Sequence, residues 1–357
     1  MSDNLLGFAE EVGKDVRDLE SKSSFDNPAD ARYEYAFADS DGRVLIGFKA
    51  DGTTDIPGFS ASGNTGGGLY FAKDGSVRPS AADLGQVTTW GSSTLDYADD
   101  ILINSMSPFG VAVNRHAKGG EWIEHSAARL GSDPALIKPV TIPASGAATV
   151  EVENFPASMD FNYAMKTYDG TIAGVHGTLS ATREQFTFTR TSAGEAVTLA
   201  ESTPLIPSFG PSSRSHVTLL AAGKNNLTQS ATAQEDVIAY TDRMVEYLTP
   251  ERPHFLILGN HNNTGWSNES IVKQRIRAVN AYFAERYGPL FIDIEALCTS
   301  PEIWDRVGIT PTSEDLQEQD LGNLPPSLAR DTLHFNDEFN AVLVEEIITR
   351  MQSLGWY

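Results

Sequence analysis

The chain has a single cysteine, Cys298, so no internal disulfide can staple it, and its stability must come from buried surface and hydrogen bonds. Basic residues are also scarce. Against 48 Asp and Glu there are 26 Lys and Arg, a formal charge of −22 that disfavours nucleic acid and anionic membrane as partners. An anionic substrate is disfavoured by the same field, although one local Arg or Lys can override it. No apolar run approaches the ~20 residues that span a bilayer. Met1-Ser2-Asp3-Asn4 lacks the basic start of a secretory signal, so neither an anchor nor Sec export is expected. The histidines His116, His125, His176, His216, His254 and His261 share no metal-like spacing, so no metal or cofactor is expected. At 357 residues and 40% hydrophobic content, the chain can bury more than one core, which predicts two or three domains.

What is present falls into three kinds of sequence. Gln86–Trp90, Phe109–Val113, His216–Ala222, His254–Leu258 and Leu290–Ile294 are mostly unbroken apolar runs, the pattern of strands buried on both faces in a parallel sheet. Between them, Val237, Ile238, Met244, Val245 and Leu248 recur at helical spacing. So do Ile271, Val272, Ile276, Val279 and Phe283, with Asn268 as the expected cap and Gly288 as the stop. A last helix carries Phe339, Val342, Leu343, Ile347, Met351 and Leu354 and ends at Gly355.

Residues 131–213 instead show short alternating runs parted by Gly, Asn and Pro: Thr141-Ile142-Pro143, Thr149 to Val152, Tyr163 to Tyr168, Thr171 to Leu179, Glu184 to Thr189 and Glu195 to Leu199. This predicts an inserted all-β sandwich or barrel. It could act as a spacer, a trimer contact or a glycan binder, with Phe161, Tyr163 and Tyr168 as aromatics that stack on sugars or pack its core. Residues 1–80 differ again. Leu5, Phe8, Val12, Val16 and Leu19 form a narrow apolar stripe, followed by three steps of Asp-Gly hairpin chemistry at Asp41-Gly42, Asp51-Gly52 and Asp74-Gly75. So short a helix and such small hairpins would gain most from self-association, so a homo-oligomer is expected.

Chemistry concentrates in four places. Near the C-terminus, Asp331 stands three residues before His334, so its carboxylate could hold Nδ1–H and leave Nε2 free as a general base. Upstream, Thr89-Trp90-Gly91-Ser92-Ser93-Thr94 presents a serine at a strand end. Val113 to Glu121, containing Gly119 and Gly120, and Ala221 to Asn226, containing Asn225, are Gly-bearing loops after strands. Such loops offer the N–H groups and the amide that an oxyanion hole requires. Gly259 to Thr264 should open at the same edge of the sheet, where His261 would touch substrate. Asp320 to Leu328 reads as a long loop that roofs the pocket.

In the order of these blocks the chain resembles the SGNH, or GDSL-type, serine hydrolases, over about residues 86–130 and 214–354. The resemblance implies a three-layer α/β/α flavodoxin-like domain with a five-stranded parallel sheet. It makes Ser93 the nucleophile, His334 the base and Asp331 its orienting acid, with Ser93, Gly120 and Asn225 as oxyanion donors. Two positions depart from the family's motifs: Ser92 stands where an Asp is usual, and Asn226 where Gly-x-Asn-Asp would end in Asp. The spacing from Asn114 also leaves Gly119 and Gly120 both open as the donor. The N-terminus resembles those of bacteriophage tail and appendage proteins, which implies a trimer and a virion protein made in the host cytoplasm and acting outside it. The expected organisation is an attachment region at 1–80, a hydrolase domain at 81–130 and 214–357, and a β insert at 131–213. The expected function is a serine esterase acting on O-acetyl or other short acyl esters of a bacterial surface glycan. A non-catalytic glycan-binding module and a cellular lipid or polyester esterase are the alternatives.

Overall fold

The computed structural model describes residues 82–157, 165–221, 223–228, 232–249 and 253–357, together with the backbone of five short strands before them. Residues 84–248 and 254–357 form one compact unit; residues 1–83 and 249–253 form another. In the latter, Tyr35–Ala38 pairs antiparallel with Val44–Phe48, Val44–Phe48 with Thr54–Asp55, and Leu69–Phe71 with Val77–Pro79. The expected helix over Asp3 to Lys22 and the three Asp-Gly steps lie outside the described residues.

The larger unit is built on a five-stranded sheet of β1 (Asp83–Gly91), β2 (Ala112–Arg115), β3 (His216–Ala221), β4 (Phe255–Leu258) and β5 (Phe291–Ile292), in the order β5-β4-β3-β1-β2. The β1–β2, β3–β4 and β4–β5 pairings are parallel. Alternation along the apolar runs divides the side chains between two cores. Val217, Leu219, Leu256 and Leu258 face one layer, which includes Leu102 and Met106 of α2 (Asp99–Met106) and Phe339, Leu343 and Ile347 of α8 (Asp337–Ser353). Leu220, Phe255 and Ile257 face the other. There they meet α3 (Ile123–Leu130), α5 (Ala233–Tyr247) and α6 (Ile271–Tyr287). Both faces are therefore covered, as strands without a polar side require.

Several boundaries differ from expectation for local reasons. The second strand begins at Ala112 rather than Phe109, because Ser107–Phe109 form a 3-10 turn that Gly110 closes in the left-handed region at φ 70°. The cap of α6 is Ser270, whose hydroxyl accepts from Lys273 N–H, rather than Asn268. Asp320 to Leu328 is not a long loop: α7 (Ser313–Leu321) runs into it from a Thr312–Asp315 capping box, and Pro326–Leu328 form a 3-10 turn.

Between Ala135 and Pro207 the chain forms a six-stranded sheet, every pairing of which is antiparallel. Its core gathers Ile137, Val150, Ile172, Leu179, Phe186, Phe188 and Leu205, and Ala128 of α3 packs into it. The expected run Thr171 to Leu179 is two strands, Tyr168–Ile172 and Val175–Ala181, joined at Ala173 (φ 46°) and Gly174 (φ 79°). Two successive positive φ values make this a primed hairpin turn, with Ala in a place that usually signals itself by Asn or Asp. Tyr168 packs against this core with its hydroxyl buried.

At the end of β1 the backbone lies too close to β3 for any side chain. Gly91 has φ 140°, and a Cβ there would sit 1.9 Å from the Ala221 carbonyl oxygen of β3. Gly91→Ala is therefore expected to lose about 3 kcal/mol or more of stability, combining a strained φ with overlap against backbone that cannot move aside. Urea denaturation of the two proteins measures it, and a difference under about 1 kcal/mol would show that the strands can part there.

Candidate active site

In an open α/β sheet of this order, the neighbouring strands β1 and β3 send their chains to opposite sides, and the crevice beyond their carboxyl ends is where ligands bind. Four of the five strands deliver a site segment at that edge. β1 leads to Ser93, β2 to Gly119 and Gly120, β3 to Lys224 and Asn225, and β4 to His261. One pocket is lined by Ser93, Thr94, Tyr97, Lys224, Asn225, His261, Leu333, His334, Phe335 and Asn340.

Ser93 opens the short helix α1 (Ser93–Asp96). Ser92, buried before it, donates its N–H to Ala221 O at 3.0 Å, fixing the turn to β3. As the first residue of a helical turn, Ser93 has no carbonyl four residues back to take its own N–H. Asn225 sits near the start of α4 (Lys224–Leu227), and its Nδ2 donates to Glu121 O at 2.9 Å, which leaves the second amide hydrogen for another acceptor. Asn226, where the resemblance would have Asp, is buried. Its Oδ1 accepts from Ile123 N–H at 3.0 Å and its Nδ2 donates to Glu124 at 2.7 Å. A carboxylate could not make the second bond, so the amide fits this particular partner.

The second block meets the serine at Gly119. A Cβ on Gly119 would lie 3.7 Å from that of Ser93, yet its N–H is taken by Asp96 Oδ2 at 2.8 Å. Gly120, at φ 80°, has an N–H with no acceptor among the described residues. Neither glycine lines the pocket wall.

His334 and Asp331 are locked together. Nδ1 of His334 lies 2.8 Å and 3.1 Å from the two carboxylate oxygens, and Asp331 Oδ1 also accepts from the N–H groups of Leu333 and His334, both at 2.8 Å. Partial burial alone would raise the Asp331 carboxyl, but the His334 side chain and the two N–H groups hold it below the ordinary carboxylate value. An ionised Asp331 requires hydrogen on Nδ1, so Nε2 of neutral His334 carries the lone pair. Tyr97 meets the His334 ring edge-on at 5.0 Å, and Arg330 lies over Tyr97 at 4.8 Å.

Asp320 to Leu328 contributes no residue to the pocket wall and braces the His261 loop instead. Leu324 N–H donates to Asn262 O, Asn262 Nδ2 to Gly322 O and Thr264 Oγ1 to Leu324 O. His261 itself is only 2% exposed, with Nε2 between the Lys224 amine at 2.7 Å and the Leu333 carbonyl at 2.8 Å.

One support of the site is absent from the sequence expectations. Glu121, whose carbonyl holds Asn225, is fixed by a fully buried ion pair with Arg129, while its other carboxylate oxygen accepts from Lys166 N–H at 2.7 Å. Arg129 Nη1 also donates to His116 O at 2.7 Å. The residues stand eight apart, one before and one near the end of α3, a spacing that carries no sequence signal of its own.

No family model matches the chain, and no curated protein matches it. Among solved structures it is similar to a candidate acylhydrolase from Bacteroides fragilis, at 10% identity and TM-score 0.39 over 76% of this chain and 88% of that one. It is also similar to a peptidoglycan O-acetylesterase, at 12% identity and TM-score 0.32 over 75% of this chain and 91% of that one. Likenesses at this level leave the chemistry to be decided by the chain's own side chains.

Arg129→Met should strand the Glu121 carboxylate and cost about 3–5 kcal/mol in urea denaturation, while Arg129→Met with Glu121→Gln should regain most of it. Equal losses in the two variants would show that the charge pairing is not what Arg129 supplies.

Proposed function

We propose that the chain is a serine esterase that cleaves short acyl esters, with Ser93 as nucleophile. The observation that carries this reading is the Asp331-bound His334 in one pocket with Ser93 and Asn225. Neutral His334 takes the Ser93 proton at Nε2 as Oγ attacks the acyl carbonyl, and the ionised Asp331 steadies the imidazolium that results. Negative charge develops on the carbonyl oxygen, where the Ser93 and Gly120 N–H groups and the free Asn225 amide hydrogen stabilise it. The imidazolium then protonates the leaving alcohol. Water, activated the same way, attacks the acyl-enzyme and releases the acid. Asp331 stays ionised at neutral pH, so it does not limit the reaction there.

An O-acetyl or similar small acyl group on a bacterial surface glycan is the proposed substrate. Among the described residues the pocket wall contains no carboxylate, and Phe335, His261 and Asn340 within it are buried, which suits a short neutral ester. The glycan, the phage-appendage setting and a trimer are proposed from the N-terminal resemblance, whose Asp-Gly steps fall between paired strands. Light scattering on the full chain tests the trimer, and a monomer would sink it.

On p-nitrophenyl acetate, Ser93→Ala and His334→Ala should each lose on the order of 10³-fold or more in kcat with thermal stability nearly unchanged. A fluorophosphonate should label Ser93 in the wild type only. Asn225→Ala should lower kcat by roughly 10²-fold with little change in KM. Appreciable turnover by either of the first two variants would refute the assignment. A rise in KM alone for the third would make Asn225 a substrate contact.

A further inference from the structure

We propose that His261 is a positioning residue for His334: held as the Nε2–H tautomer, it donates to the Leu333 carbonyl, with Lys224 behind it as an uncharged amine. The role rests on the reading of Ser93 and His334 as the reacting pair; the tautomer does not.

A carbonyl oxygen offers only lone pairs, so the 2.8 Å approach of His261 Nε2 to Leu333 O calls for hydrogen on Nε2. The other tautomer would set two lone pairs against each other and bury an N–H at Nδ1, an atom with no partner among the described residues. An imidazolium would leave that same N–H unpaired and bury a charge as well. With hydrogen on Nε2, the Lys224 nitrogen 2.7 Å away can meet it favourably only through a lone pair, which an ammonium lacks.

The surroundings agree. Lys224 is 5% exposed and His261 2%. Burial pushes the Lys224 amine well below its ordinary value against the pull of Cys298 and Asp331, and pushes His261 down with the help of Lys224 and His334. Of these groups, Cys298 is a buried thiol whose own value burial raises, and Asp331 is already occupied by His334; among the described residues no carboxylate pairs with Lys224.

The consequence falls on residues 331–334, which form neither helix nor strand. Their backbone hangs on a few bonds: the two into Asp331 Oδ1, Arg330 N–H to His334 O at 2.8 Å, and Thr264 N–H to Thr332 O at 3.1 Å. His261 adds a hold on the peptide just before His334. Its ring also lies 4.0 Å from that of Phe335, just after it. A general base misplaced by an ångström costs rate without weakening substrate binding.

The test uses full-length protein labelled with nitrogen-15. Long-range proton–nitrogen correlations should show His261 with hydrogen on Nε2 alone, unchanged from about pH 5 to 9; hydrogen on Nδ1 at any point in that range would overturn the tautomer. His261→Ala should lower kcat roughly 10- to 100-fold with KM within about twofold. His261→Gln, whose amide nitrogen can take the place of Nε2, should return to within about fivefold of wild type. Loss of rate in the Gln variant equal to that in the Ala variant, or no loss in either, would overturn the positioning role. If the Ala variant does not fold, the Gln variant and the tautomer still decide. Fluorophosphonate labelling of the same wild-type sample separates the two readings: an unlabelled Ser93 overturns the serine mechanism while the tautomer result stands.

Discussion

The site depends first on how closely two strands can approach where the order of the sheet reverses. At Gly91 the backbone of β1 comes so near Ala221 that no side chain fits, and one residue later Ser92 donates across the same gap. This brings the chain after β1 and the chain after β3 out at one point, so Ser93 and Asn225 line one pocket although they stand 132 positions apart in the sequence. A bulkier residue at Gly91 would separate the two ends and, with them, the proposed nucleophile from its proposed oxyanion donor.

Around that junction, buried polar groups hold the side chains still. Asn225 is aimed by the Glu121 carbonyl, and Glu121 by Arg129 and the Lys166 N–H. Asn226 ties the start of α3 to α4 through Ile123 and Glu124. A buried ion pair of this kind is poor evidence of net stability, since desolvating both charges offsets much of their attraction. Its effect is geometric: once buried, neither partner can leave without stranding the other. The histidine side is built differently, from short hydrogen bonds in an irregular loop that borrows order from the β4 loop and from the segment after α7.

Much of this was legible in the sequence, and the exceptions have physical causes. Mostly apolar runs marked the central strands, most cleanly at β3 and β4, because a strand covered on both faces has no polar alternation to confuse the reading. The Asp-x-x-His pair and the serine after β1 could be picked out because the proposed chemistry needs particular residue types. Thr203–Pro207 and Ala135–Ile137, which pair with each other, were missed: each is short, and the first contains two prolines, Pro204 and Pro207. The turn at Ala173-Gly174 was hidden by an alanine in a left-handed position. The Glu121–Arg129 pair and the Lys224–His261 contact were invisible because their meaning lies wholly in burial, and a charged residue in a sequence reads as solvent-exposed by default.

Electrostatics brings these strands of the structure together. The chain carries a formal charge of −22, and the proposed reaction gathers more negative charge on a carbonyl oxygen. Beyond about 8–10 Å, salt screens exposed carboxylates from that oxygen. Donors about 3 Å away act with little screening and need no reorientation when the charge appears. Nearby charge is what could spoil the balance, and among the described residues the pocket wall holds no carboxylate. Asp331, the acid behind it, spends its oxygens on His334 and two N–H groups. An uncharged Lys224 fits the same scheme: an ammonium beside His334 would oppose the imidazolium that must form there, whereas a buried neutral amine fills the space without that penalty.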